Sequence, residues 1–389
     1  MGGGQRGGVH APRDRRPGHG ASMSRRGFTC SAREGDVMSE VTIVGAGLAG
    51  LTAAVNLARR GHHVVVLERE ERIGGSPLYH PSGQGSPLDL EGICRYVGFD
   101  IRPGIEPIRE MVEIAGGKAM KIDPSLINAY FFERGPRESS LDSHLYRLAL
   151  EAGVEFRFAT PVLSQEDFAQ LPPNTIVATG LHFEGFDSFG IPYLTSHHFT
   201  YKGTCDPDLN FVHMYHDTYT SDYGYTSAFR GILYAHLFNR RKPISLAGRD
   251  RFAEQVKKYS GFEVPRWSSF TFPVPAASIR TPRIFAGSKI LAGTLAGAMD
   301  PVAFFGLHGA LVSGRIAAMA VEDGERAWRE FRRCTRVFTT AYTLARMMEL
   351  QPTPLTVLGF RLAFMGFDRL KFVHRIMQQG MPGYANVAG

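Results

Sequence analysis

The chain has 389 residues, 43% of them hydrophobic. That is enough for one large core or two ordinary ones and excludes a fibrous or mainly disordered protein. Its four cysteines, Cys30, Cys94, Cys205 and Cys334, lie far apart without metal-ligand spacing, which argues for reduced thiols in an intracellular setting and against a bound metal. The net charge of +7 sits at the ends, +3 on residues 1–40 and +7 on residues 326–389, leaving −3 for residues 41–325; so mildly acidic a body argues against a nucleic-acid partner.

Residues 1–37 are rich in Gly, Arg, Pro and Ser with no apolar period, the composition of a disordered leader. Ser24–Phe28 resembles a twin-arginine export signal, but Thr29–Asp36 carries arginine, acids and glycine where such a signal needs an apolar segment. Met38 makes a natural start for the folded part.

From Val41 four β-forming residues run into Gly45, Gly47 and Gly50, followed by a predicted helix over Leu51–Arg60 and a strand over His63–Leu67 that ends on Glu68. This is a βαβ unit with a glycine-rich first turn, and each part has a role in dinucleotide binding. Gly45 permits the tight turn. Gly47, between Ala46 and Leu48–Ala49, leaves the backbone open to a pyrophosphate, and Gly50 lets helix and strand pack closely. The helix N-terminus offers unpaired N–H groups to the phosphates. Glu68, 18 residues after Gly50, accepts hydrogen bonds from ribose hydroxyls and argues against a 2′-phosphate there.

Arg69 to Gly75 adds a Gly74–Gly75 pair. The three-glycine turn, acid-ended strand and glycine pair together resemble the N-terminal signature of two-domain FAD-dependent oxidoreductases of the glutathione-reductase and aromatic-hydroxylase type. The resemblance places Gly74 and Gly75 beside the flavin diphosphate or ribityl chain, with Arg69 in the same neighbourhood. Glu133–Pro136 and Ser140–Leu145 resemble the segment that opens a helix in the geranylgeranyl reductase and aromatic hydroxylase branches. Leu145, Leu148 and Ala149 share one face, so a helix is predicted over Asp142–Glu151. Arg134 either meets the flavin side of the site or holds a surface loop. Gly153–Ala159 alternates like a strand, and Asn174–Gly180 reads as a buried strand. By the same resemblance Ala178, Thr179 and Gly180 pass under the adenine and pyrophosphate.

Between Gly190 and Phe272 the composition shifts towards Tyr, Phe, His and Thr. Strands are predicted over Thr195–Tyr201, Asn210–Tyr215, Tyr225–Ala228 and Ile232–Phe238. An antiparallel sheet inserted between the two FAD-binding parts is the substrate domain the resemblance implies, and its aromatic residues either face an apolar substrate or form ordinary sheet core. Its histidines lack partner carboxylates at convincing spacing, so no metal site is assigned. Phe270–Pro275 is predicted to cross back to the FAD domain.

Gly293–Pro301 and Gly306–Ala318 then resemble the second FAD fingerprint, about 250 residues after the first. Gly293, Gly306 and Gly309 keep its glycines. Thr294 stands where the family has an Asp bonded to the ribityl chain, at a loss of about 1–2 kcal/mol of charge-assisted bonding. The resemblance also makes the helix N-terminus there face the flavin ring, where backbone N–H groups stabilise negative charge. His308 replaces a small residue and is either a catalytic donor near the flavin or a packed helix-start residue. The last sixty residues form two basic amphipathic segments parted at Pro352 and Pro354. In the second, Leu355–Met377, Arg361, Asp368, Arg369, Lys371 and Arg375 interrupt the apolar run, so it is no membrane span. It is either a helix lying in a membrane interface or a cap on the substrate domain.

The expected architecture is α/β: a leader (1–37), a Rossmann-like FAD-binding domain in two parts (38–190 and 276–325), an inserted antiparallel sheet (191–275) and a basic helical C-terminus (326–389). The leading expectation is an FAD-dependent oxidoreductase that transfers hydride, through flavin N5, to or from a C–C bond of a lipophilic, isoprenoid-like substrate. No second nucleotide fingerprint appears, so electrons come from transiently bound NAD(P)H or a donor protein. The expected location is cytoplasmic, with peripheral contact at the membrane inner face. The alternatives are a flavin monooxygenase hydroxylating an apolar substrate and a binding protein that has lost catalysis. A halogenase lacks support, since Trp267 and Trp328 are the only tryptophans.

Overall fold

The computed structural model describes residues 39–75, 80–240, 242–275 and 282–366, except for side chains at 337–340, 342–344 and 347–349. Residues 1–37, expected to be a leader, the start at Met38 and the end of the C-terminal segment from 367 lie outside the described residues.

The first half contains β1 (Glu40–Val44), α1 (Leu48–Ala58), β2 (His63–Leu67), β3 (Ser82–Pro87) and α2 (Leu90–Val97). It continues with β4 (Ile105–Pro107), β5 (Glu110–Ala115), β6 (Lys118–Ile122), β7 (Ala129–Arg134), α3 (Leu141–Glu151), β8 (Glu155–Arg157), α4 (Gln165–Gln170), β9 (Ile176–Val177) and α5 (Phe183–Ser188). The second half carries β10 (Tyr193–Thr204), β11 (Phe211–His216), β12 (Gly224–Phe229), β13 (Ile232–Asn239), α6 (Leu246–Ser260) and β14 (Ser268–Pro275). It ends with β15 (Phe285–Ala286), β16 (Lys289–Leu291), α7 (Leu307–Glu322), α8 (Gly324–Leu350) and α9 (Thr353–Met365).

The first sheet has the order β15-β16-β9-β1-β2-β8 and is parallel except for β15. Its strands are nearly all apolar because both faces are covered. Val41, Ile43, Val64, Val66, Ile176 and Val177 are buried with Leu51, Leu57, Leu311 and Ile316 of α1 and α7 in one core. β16 comes from the far end of the chain yet pairs with β9, directly beside β1. α7 crosses α1 so closely that a Cβ on Gly314 would lie 2.3 Å from the Ala49 carbonyl oxygen.

The second sheet, β14-β10-β13-β12-β11-β5-β6, carries the aromatic residues, and β3-β7-β4 form a small third sheet. Two expectations are corrected here. Phe270–Pro275 is no simple crossover but strand β14, paired along its length with β10. Its prolines are tolerated because β14 is an edge strand, where a missing N–H breaks no ladder. The sheet is also not confined to 191–275, because β5 and β6 join it, β5 running parallel to β11. Helix α6 packs Phe252 and Val256 beneath the sheet against Tyr215 and Leu237.

Pro352 and Pro354 start α9 rather than merely interrupting the chain, as proline's fixed φ allows in a first turn. α9 lies over β5 and β6 and turns Leu355, Leu358, Leu362 and Met365 to solvent. Among the described residues no helix is long and apolar enough to cross a membrane.

Candidate functional site

The glycines of the first turn divide into two kinds. Gly45 has φ +99°, its N–H donates to the Leu67 carbonyl at 2.8 Å, and a Cβ there would lie 2.6 Å from the Ala178 carbonyl oxygen. At Gly50 a Cβ would lie 2.0 Å from the Gly45 carbonyl oxygen. These two are required by packing. At Gly47 an added Cβ meets nothing within 4 Å, so this residue leaves the turn open. α1 starts immediately after it with no side-chain cap, and its first N–H groups remain available to an anion.

Glu68 is held across this turn. Its Oε2 accepts from the Ala46 N–H at 2.7 Å and its Oε1 from the Glu70 N–H at 2.9 Å. Ala46 therefore acts as a clamp on the acid rather than as a wall of the site. Arg69 lies beside it, 3.3 Å from Glu70 and 4.0 Å from Glu184.

From here one cavity of about 1020 Å³ extends to the second sheet, at the upper limit of the roughly 300–1,000 Å³ usual for ligand pockets. Gly45, Gly47, Leu48, Ala49, Glu68, Arg69, Gly75, Arg134, Ala178, Thr179, Gly180, Gly293, Thr294 and Gly306 all line it. The fold thus gathers both fingerprints around one space. Gly50, Gly74 and Gly309 are not in its wall. A Cβ on Gly74 would lie 2.4 Å from backbone atoms of Gly135 and Pro136, and one on Gly309 would lie 1.8 Å from the Ala298 carbonyl oxygen. Their role is close packing behind the site.

Ser140 caps α3 by accepting the Ser143 N–H, and this presents Asp142 to Arg134. The guanidinium grips that carboxylate through Nε at 2.8 Å and Nη2 at 2.9 Å, and the Gly135 N–H adds a bond at 3.0 Å. Burial alone would raise the Asp142 pKa; the charge and bonds of Arg134 outweigh it and hold the carboxyl below its ordinary value. The loop Asp300–Gly306 also lines the cavity. Asp300, which the sequence did not single out, is buried, and desolvation lifts its pKa to about 6 against the backbone N–H groups it accepts.

His308 is a correction. It is absent from the cavity wall and lines a small separate void with Phe331, Cys334 and Thr335 between α7 and α8. Both ring nitrogens are buried without a partner, and burial lowers its pKa to about 3. A first-turn residue of α7 does approach the cavity on one side of the helix, but this side chain points to the other, so His308 is no donor to a flavin.

The far wall is formed by Tyr225, Tyr234, His236, Phe238, Phe270 and Phe272 of the second sheet. His198 and His236 share a hydrogen bond of 2.7 Å, and burial lowers both pKa values, that of His236 to about 3. The pair is neutral and stacks with Phe238, Phe270 and Phe272. Sequence spacing also missed two carboxylate partners. Glu110 and Glu113 of β5 reach His213 at 3.2 Å and His216 at 2.9 Å, because a parallel neighbour some hundred residues earlier supplies them. Among the described residues no group of three or more such side chains is placed to hold a metal ion.

A glycine-turn nucleotide unit here shares one cavity with an aromatic sheet, and the turn has the geometry of a Rossmann-like dinucleotide site. Residues 43–91 match the family model described as NAD(P)-binding Rossmann-like domain. The chain is 53% identical over 51 residues to the flavin-containing monooxygenase FMO GS-OX2 of Arabidopsis thaliana, covering 13% of this chain and 11% of that protein. Over 143 residues it is 32% identical to FMO GS-OX4 of the same plant, covering 32% of this chain and 28% of the relative. The chain thus spans little more than a tenth to a quarter of these relatives' lengths. Of solved structures, a geranylgeranyl bacteriochlorophyll reductase-like protein from Thermoplasma acidophilum superposes with TM-score 0.61 at 16% identity, covering 90% of this chain and 94% of that one. p-Nitrophenol 4-monooxygenase PnpA from Pseudomonas putida superposes with TM-score 0.60 at 17% identity, covering 90% and 100%. CtdE, solved in complex with FAD, superposes with TM-score 0.53 at 14% identity, covering 87% and 99%. Residues 43–91 therefore form a Rossmann-like nucleotide-binding unit, and the chain as a whole shares its fold with these solved flavin-dependent proteins.

The residues present fit FAD. Gly47 leaves its backbone uncovered, Glu68 lines the cavity where it could accept from a ribose hydroxyl, and the buried Thr179 hydroxyl in the cavity wall has no protein partner.

Proposed function

We propose that this protein is an FAD-dependent oxidoreductase that reduces or dehydrogenates a C–C bond of a lipophilic, isoprenoid-like substrate. The observation that carries the proposal is the continuity of one cavity from the Gly45–Gly47 turn to an aromatic and aliphatic wall. A nucleotide site alone needs no such extension. FAD, when bound, supplies the redox chemistry at its ring. The protein's residues do the rest. The α1 N-terminus and Gly47 would hold the diphosphate and Glu68 the ribose, while Thr179 and Thr294 would add hydroxyl contacts. Gly306 and Leu307 at the start of α7 line the cavity, and the helix N-terminus there would favour negative charge on a bound flavin ring. Tyr225, Phe238, Phe270 and Phe272 exclude water around an apolar substrate, while α9 roofs the cavity with Phe360 and Phe364.

Electrons enter from NAD(P)H bound transiently or from a donor protein. Lipophilic substrates and the outward Leu355, Leu358, Leu362 and Met365 of α9 support a cytoplasmic protein resting on the inner face of a membrane; co-flotation with anionic vesicles, lost in a Leu358→Glu/Leu362→Glu variant, tests this.

A monooxygenase is the second reading, favoured by the similarity over 143 residues to a flavin-containing monooxygenase. Titration of the purified chain with FAD, then turnover with candidate lipids, separates these: a mass change of about 2 Da marks hydride transfer and about 16 Da marks oxygen insertion. Absence of a flavin absorption band after FAD addition leaves only a binding protein without catalysis.

A further inference from the structure

Among the described residues, three side chains in the cavity wall bury a polar atom with no partner: Thr179, His198 and His216. Thr179 lies at the nucleotide end, and His198 is paired with the equally neutral His236. His216 differs because a carboxylate stands behind it. Its Nε2 is 2.9 Å from Glu113 Oε2, both side chains are buried, and both line the cavity. Met111, Val212, Met214 and Phe360 line the same wall, and the Tyr223 ring lies 5.9 Å from the imidazole with its hydroxyl already donating to the Ala303 carbonyl. Phe360 and Phe364 of α9 cover the imidazole, at ring-centre distances of 4.3 and 5.6 Å.

Burying a carboxylate is unfavourable unless it is bonded, and an apolar pair of similar size would fill this space at least as well. A carboxylate that only accepts fixes the imidazole proton on Nε2. Nδ1 then carries a lone pair, and the ring becomes an acceptor whose tautomer is set from behind. No protein group meets that lone pair.

We infer that His216, positioned by Glu113, accepts a hydrogen bond from the hydroxyl group of the substrate, which is thus a lipophilic alcohol rather than a plain hydrocarbon. The inference deepens the proposed function, resting on its assignment of this part of the cavity to the substrate. The hydroxyl O–H points at Nδ1 while the hydrocarbon body lies along the aromatic wall. α9 seals the contact from water, which strengthens it.

The test measures calorimetric affinity of the FAD-loaded full chain for farnesol and for farnesyl methyl ether, which keeps the shape and an acceptor oxygen but has no donor. The expected result is a preference for the alcohol of roughly tenfold or more. His216→Phe should abolish that preference while keeping or improving ether affinity, which shows the cavity is still folded. Glu113→Leu should lower the alcohol-to-ether ratio severalfold without lowering ether affinity; a merely structural role would weaken both ligands together. Equal affinities in the wild type, binding of neither ligand, or a preference that survives in His216→Phe overturns the inference. Failure of the oxidoreductase proposal shows separately, as a bound flavin that no donor reduces, with the alcohol preference intact.

Discussion

Arg240 Nε donates to Asp222 Oδ1 at 2.5 Å, while its Nη1 and Nη2 donate to the carbonyls of Pro301 and Val302. One guanidinium from the end of β13 thus ties the second sheet to the loop between the two halves of the second glycine fingerprint. Phe304 lies under the same group, and the Tyr223 hydroxyl donates to Ala303. The loop wall of the cavity is held from the second sheet.

Arg240→Met should therefore destabilise the protein by about 3 kcal/mol, because it leaves the buried Asp222 without its cation. It should also weaken FAD binding by loosening residues 300–305. Urea unfolding and flavin titration measure the two effects. Arg240→Lys keeps the charge but not the fork, so it should recover stability only in part. Full stability in Arg240→Met would refute the tie.

Gly47→Ala and Gly50→Ala should behave oppositely although both alter the same motif. A methyl at position 47 meets nothing in the protein, so unfolding stability should stay within about 0.5 kcal/mol while FAD affinity falls at least severalfold. At position 50 the methyl would collide with the Gly45 carbonyl, and the fold should lose about 1–3 kcal/mol or more. Thermal unfolding with and without FAD separates them, and similar behaviour of the two would contradict the assignment.

His308→Leu should raise stability by about 1–2 kcal/mol, since it removes two buried nitrogens that have no partner. Turnover should not change. The pH dependence follows from the direction of the shift. The folded pKa is about 3 and the unfolded one about 6.5, so the unfolded chain takes up the proton first. Stability is complete above about pH 6.5 and falls towards pH 3, by about 1.4 kcal/mol per pH unit for this histidine. Unfolding curves between those limits should flatten in the variant. An unchanged slope would show that His308 is solvated or bonded.

The nucleotide end of the site was legible in the sequence because its signal is local. Gly45, Gly47, Gly50 and Glu68 stand at fixed offsets along a single βαβ unit, and their geometry follows from those offsets. The second fingerprint was equally legible at Gly293, Thr294 and Gly306, all in the cavity wall. His308 was assigned to the right turn of the right helix, but which side of α7 it occupies depends on α8, which local spacing cannot report. Glu113 and His216 were missed for a related reason. β5 lies outside the segment expected to form the sheet, and only its parallel pairing with β11 brings the acid to the imidazole. Phe270–Pro275 reads as a crossover in the sequence, which does not reveal that this segment pairs with β10 as an edge strand.

The placement of β16 beside β9, with α7 laid across α1, has a consequence for biosynthesis. At about 5–20 residues per second, the ribosome delivers the βαβ unit some tens of seconds before the strand and helix that complete it. Through that interval the nascent chain exposes an apolar helix face and an unpaired strand edge, which only the much later β16 and α7 cover.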